Sequence, residues 1–159
     1  MADSINNNNF SRFNGSVYVA TDNGVFKSGT KEDGTRVFNQ FNDITVQVFP
    51  LQTAKVRTDS FLLAGSLFKG VYQISANGKI SILGGNAIDA KDEINRREFD
   101  ARSILQSKVK NDRFYFGLNS QGLKILDYDK GIWRHVTNIK SIKGSIIFLE
   151  ELKNGDLIA

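Results

Sequence analysis

Apolar residues along this chain come in short runs, each closed by a polar turn and a glycine. Four runs share one pattern: Val17-Tyr18-Val19-Ala20, Leu62-Leu63-Ala64-Gly65, Phe114-Tyr115-Phe116-Gly117 and Leu157-Ile158-Ala159. Their starts lie 45, 52 and 43 residues apart. In three copies a turn and a second apolar run follow. These read Thr21-Asp22-Asn23-Gly24-Val25-Phe26, Ser66-Leu67-Phe68-Lys69-Gly70-Val71-Tyr72 and Leu118-Asn119-Ser120-Gln121-Gly122-Leu123. The glycine supplies the positive φ that so tight a connection needs. The third and fourth copies align at a constant offset of 43, Ile104-Leu105 with Ile147-Phe148 and Val109-Lys110-Asn111 with Leu152-Lys153-Asn154.

This spacing predicts a repeating unit of four strands, a to d. The third unit has strands at 103–107, 113–117, 122–127 and 132–137; the second at 45–49, 61–65, 70–75 and 79–83. The first supplies b, c and d at 16–21, 24–28 and 37–41, and the fourth supplies a at 145–150 and a b strand starting at Asp156. Four short strands in every 40–50 residues is the signature of β-propeller blades. A helical solenoid would need helical spacing over ten or more residues, and only 89–99, mostly charged, is a candidate helix. The expected fold is therefore all-β, with three to three and a half blades in residues 13–159 and a linker insertion at about 84–102. Residues 1–12 read as a disordered polar tail. An incomplete ring exposes blade faces and strand edges, so further blades of the same protein, or self-association, are expected to complete it.

Composition narrows the function. Twelve Phe and four Tyr with fourteen Gly and one Pro suit many short hairpins. Without cysteine there are no disulfides or thiolate metal sites. The net charge is +4, but the signs are interspersed, and even Arg96-Arg97 is flanked by Glu93 and Glu98. That is a solvated surface rather than a phosphate-tracking stripe, so no nucleic-acid partner is expected. No apolar run approaches the roughly 20 residues of a membrane span, and the first residues lack the pattern of a signal peptide.

Catalytic motifs are missing. His135 is the single histidine, which removes multi-histidine metal sites. No Gly-x-Ser-x-Gly elbow and no glycine-rich phosphate loop occurs. Glu150 and Glu151 are neighbours on a strand and face opposite sides, while Asp127 and Asp129 read as shaping a hairpin. Trp133, beside Ile132 on strand d, reads as blade-to-blade packing rather than a sugar platform. No cofactor, metal or catalytic residue is expected.

The segment Gly15-Ser16-Val17-Tyr18-Val19-Ala20-Thr21-Asp22-Asn23-Gly24-Val25-Phe26 resembles the two-component regulator propeller repeat, as does the region from Ser103 to Leu126. It departs from that repeat in carrying Tyr18, Leu63, Tyr115 and Ile158 where a Trp is expected early in strand b. The resemblance implies an extracytoplasmic, periplasmic sensor region of a bacterial signalling receptor, often one responding to glycans. A weaker likeness joins Ser75-Ala76-Asn77-Gly78-Lys79 and Lys31-Glu32-Asp33-Gly34-Thr35 to the Asp-box turns of sialidase-like propellers. Both lack the full spacing and read as ordinary hairpin turns.

In a four-stranded meander the b–c turns and d–a connections share one end, and the a–b and c–d turns share the other. The first end collects the three turns quoted above and the long linker, and long connections on a rigid scaffold tend to carry function. The candidate ligand- or partner-binding residues are therefore Phe68, Lys69, Arg96, Arg97, Asn119 and Gln121. Phe68 either stacks on a ligand or tucks beneath the linker. The expected function is a non-catalytic ligand-binding or sensing propeller module, with a glycan or protein as ligand. Its rivals are a lectin-like or protein-interaction propeller and a fragment of a catalytic one, a glycoside hydrolase or lyase.

Overall fold

The computed structural model describes residues 9–41, 44–67, 69–83 and 99–159. Among these residues none is helical, and all regular structure is strand. The first blade is β1 (Phe10–Phe13), β2 (Ser16–Thr21), β3 (Gly24–Thr30) and β4 (Arg36–Gln40). The second is β5 (Val48–Val56), β6 (Asp59–Ser66), β7 (Gly70–Ser75) and β8 (Ile80–Leu83). The third is β9 (Ala101–Gln106), β10 (Arg113–Leu118), β11 (Leu123–Asp129) and β12 (Ile132–Ile139), and β13 (Glu150–Glu151) with β14 (Leu157–Ile158) begins a fourth. Each of the three complete units is an antiparallel meander of four strands in sequence order. The chain is all-β and built of propeller-type blades.

Three expectations need correction. Residues 10–12, assigned to the polar tail, belong to β1, which pairs with β2 from Phe10↔Val19 to Phe13↔Ser16. Strand a of the second unit starts at Val48, not Thr45, and runs through Pro50 to Val56, with a register shift between Val48 and Leu51. The constant offset of 43 also fails on strand a. Gln106 pairs with Phe114 and Glu151 with Leu157, so strand a shifts by two residues against strand b. The buried partner of Ile104 in the fourth unit is accordingly Leu149, while Ile147 is exposed. The candidate helix at 89–99 lies outside the described residues except for Phe99, which is buried and not helical.

The blades pack face to face. Phe13, Tyr18, Ala20 and Val25 of the first meet Leu51, Leu62, Ala64 and Ile74 of the second. From the second, Phe61, Leu63 and Val71 meet Phe114, Phe116, Leu126 and Trp133 of the third. Because successive residues face opposite sides of a strand, Leu62 and Leu63 enter different cores. That is why β6 reads as an unbroken apolar run. Trp133 is fully buried, 5.0 Å from Phe114 and 4.9 Å from Tyr128 between ring centres, which makes it a blade-packing residue.

A second repeat lies on strand a of the second, third and fourth blades, and it is polar. Thr53, Gln106 and Glu151 pair with Leu62, Phe114 and Leu157, the first residues of three of the repeated apolar runs. Each reaches back to the preceding blade. Thr53 Oγ1 donates to the Arg12 carbonyl at 2.8 Å, and Gln106 Nε2 donates to the Lys55 carbonyl at 2.9 Å. Glu151 accepts from Ser107 Oγ at 2.7 Å and from the Lys108 amide. Each blade is thereby clasped to the one before it.

The small residue that ends each repeated apolar run on strand b answers to packing as well. A Cβ on Gly117 would lie 2.7 Å from the Ile146 carbonyl oxygen, and one on Gly65 would lie 2.7 Å from that of Ala101. The chain entering the next blade passes directly over these positions. Gly117→Val is expected to cost about 3 kcal/mol by this overpacking, measured by urea unfolding. Gly29, where a Cβ would meet only Asn39 Nδ2 at 3.4 Å, is expected to accept alanine within about 0.5 kcal/mol.

Candidate functional site

Of the residues selected from sequence, Lys69, Asn119 and Gln121 are described, and all three lie at the b–c end of the blades. Lys69 (β6–β7 turn) and Gln121 (β10–β11 turn) are exposed at this end of consecutive blades. Asn119 is a structural residue. Its backbone amide donates to the Asp100 carbonyl at 2.9 Å and its Nδ2 to Asp100 Oδ2 at 3.2 Å, while its Oδ1 accepts from Ser145 Oγ. It ties the turn both to the segment entering the third blade and to the segment entering the fourth. Phe68, Arg96 and Arg97 lie outside the described residues.

Next to Gln121 is a recess of about 300 Å³, walled by Ser120, Lys124, Asn138 and Lys140. Lys124 is 3% exposed, with its ammonium 4.9 Å from the centre of the Phe99 ring. Lys140 is exposed. Two lysines, a serine, a glutamine and an asparagine thus border one small volume. Lys124 and Lys140 were missed from sequence, since Lys124 alternates with apolar residues on β11 and Lys140 follows β12. Only pairing of the two strands, Lys124 opposite Asn138, brings them together.

The a–b and c–d end holds a larger cleft of about 780 Å³ between the second and third blades. One wall is the β5–β6 hairpin with Arg57, Asp59 and Ser60; another is the β7–β8 turn with Ser75 and Asn77. Tyr128 and Lys130 close it from the third blade. Three side-chain bonds cross between the blades here. Tyr128 Oη donates to Asp59 Oδ2 at 2.9 Å, Trp133 Nε1 donates to Gln73 Oε1 at 2.7 Å, and Arg57 meets Asp129 at 2.8 Å. Burial, together with the bond to Asp59, pushes the Tyr128 phenol up to about 12, so it stays a proton donor at any physiological pH.

The carboxylates singled out from sequence have structural partners. Asp127 takes two bonds from the Arg113 guanidinium, at 2.9 and 3.1 Å, and pairs with Lys110. It is therefore an ion-pair anchor between strands rather than a turn former. Burial works against its ionisation, but Arg113 and Lys110 outweigh that and hold its carboxyl below the usual range. Glu150 is exposed and Glu151 buried, on opposite faces of β13. His135 is half-buried, its Nε2 3.1 Å from Asn138 Oδ1. Among the described residues no three His, Asp or Glu side chains cluster as metal ligands, and no helix is long and apolar enough to cross a membrane.

No family model, curated protein or solved structure matches the chain. The likeness to the two-component regulator propeller repeat rests on its motif residues alone.

Proposed function

We propose that this chain is a non-catalytic ligand-binding module that serves as part of the sensor region of a bacterial signalling receptor. The observation that carries the reading is the recess beside the β10–β11 turn. It joins Gln121, Lys124 and Lys140 on a scaffold whose turns are held by bonds such as those of Asn119. A site on a rigid framework loses little entropy when it binds. Ammonium and carboxamide donors suit a carboxylate or sulfate, and charge-assisted bonds are the strong ones. An acidic saccharide is the ligand class in which such a group sits among further hydroxyls.

An array of uronate-containing and sulfated oligosaccharides tests this, followed by calorimetric titration of the tightest binder. Gln121→Ala and Lys140→Ala are each expected to weaken binding about tenfold, since a bond to a charged group is worth about 1.5–3 kcal/mol. Raising the salt is expected to weaken it further. Parent affinity in both variants would move the site away from this face. If no acidic saccharide binds, the protein-interaction reading replaces it.

A further inference from the structure

The cleft at the opposite end of the blades takes no part in the function proposed above. We infer that it is a second ligand site, for a neutral polyhydroxylated molecule: a saccharide presenting vicinal hydroxyls. Its volume of about 780 Å³ falls in the range of ligand pockets, about 300–1,000 Å³.

The turns that frame it break a local rule. Two-residue hairpins of this kind favour Asn, Asp or Gly at the left-handed positions. Arg57 stands there at φ 54° in the second blade and Lys130 at φ 49° in the third, and both line the cleft. A left-handed side-chain residue costs about 1–2 kcal/mol, and such departures gather at functional sites. The first blade also reaches this rim, where Asn14 Nδ2 donates to the Ala76 carbonyl at 2.8 Å.

The polar groups are pre-set by the aromatic core behind them. Tyr128 fixes one oxygen of Asp59 and Trp133 fixes the carbonyl of Gln73, both from the neighbouring blade. The carboxylate keeps a second oxygen as acceptor, and Ser60 and Thr58 add hydroxyls to the same wall. On the β7–β8 turn of the same blade Asn77, whose Oδ1 is taken by Ser75 Oγ and the Lys79 amide, offers its amide nitrogen as donor. Sugar hydroxyls both donate and accept, so a lining that mixes fixed acceptors and donors fits them. Charge argues against an anion, because Arg57 is engaged by Asp129 and the lining includes the Asp59 carboxylate.

Trp133 is the single tryptophan of the chain, and its indole N–H ends on a residue of the cleft wall. Its emission therefore reports occupancy. The full chain is probed on an array of neutral gluco-, manno-, galacto- and xylo-oligosaccharides, and the tightest binder is titrated by tryptophan fluorescence. The expected result is a saturable change in emission that persists in 0.5 M salt, about the concentration at which surface charge is screened. Asp59→Asn, which still accepts from Tyr128, and Asn77→Ala are each expected to weaken binding about tenfold. Gln121→Ala and Lys140→Ala are expected to leave it unchanged. The inference is overturned if no neutral oligosaccharide binds. It is equally overturned if binding survives both cleft variants, or is lost only with Gln121 and Lys140, which would assign the sugar to the other face.

Discussion

Trp133→Ala is expected to lower the stability of the chain by about 4 kcal/mol, the usual cost of deleting a large aromatic from a packed core. The indole is fully buried and lies between the second and third blades. It touches Phe61, Phe114, Phe116 and Tyr128, with ring centres 4.9–6.2 Å apart. Losing it opens a cavity in the cluster that joins those blades and leaves Gln73 Oε1 without its donor. Trp133→Phe keeps a six-membered ring but loses the N–H and the rest of the fused ring, so a smaller cost of about 2 kcal/mol is expected. Urea unfolding followed by far-ultraviolet circular dichroism measures both. If Trp133→Ala cost less than about 1 kcal/mol, the blades would not be held through this cluster.

The same packing explains which parts of the fold were legible in the sequence. Strands b and c are sandwiched between two cores, so β6 and β10 show unbroken apolar runs that end on a small residue. Strand a is harder to read because it carries polar residues that bond to the neighbouring blade. β1 reads Phe-Ser-Arg-Phe, and Ser11 Oγ lies 2.6 Å from Thr53 Oγ1 of the next blade, a bond no local pattern announces. In β5, Pro50 argues against a strand, and the chain accommodates it with a register shift at that point. In the fourth unit strand a is displaced because its turn to strand b is two residues shorter than in the third, which no gapless alignment reveals.

The sites were less legible than the fold. Asn119 was found as a turn residue, yet its bonds to Asp100 and Ser145 are a matter of how the chain enters and leaves the blade. Gln121 was found for the same reason and does border a recess, but its lysine neighbours come from other strands. The large cleft joins residues as far apart as Asp59 and Tyr128 through the packing of two blades. Turn chemistry alone marks its rim, where Lys130-Gly131 and Arg57-Thr58 connect strands by two residues each.

Glu151→Gln is expected to cost about 2 kcal/mol at neutral pH, and the cost is expected to vanish in acid. The carboxylate is 3% exposed. It accepts from Ser107 Oγ at 2.7 Å, Tyr115 Oη at 3.1 Å, the Val109 amide at 3.3 Å and the Lys108 amide. A glutamine supplies one acceptor oxygen and no charge, so some of these donors lose a partner, each worth about 1–3 kcal/mol when buried. Burial alone would raise the carboxyl, but the four donors outweigh it and hold the acid below its ordinary 4.5. A depressed carboxyl contributes stability that is fully present above its unfolded value and is lost as the pH falls through the folded one. The parent should therefore lose its advantage over Glu151→Gln as the pH drops below 4.5. Asp127 titrates in the same acid range, but it is present in both proteins and cancels in the difference. Urea unfolding of parent and variant from pH 7 to pH 3 measures that difference directly. A gap of the same size at both ends would mean that the ionised carboxylate does not hold the third blade to the fourth.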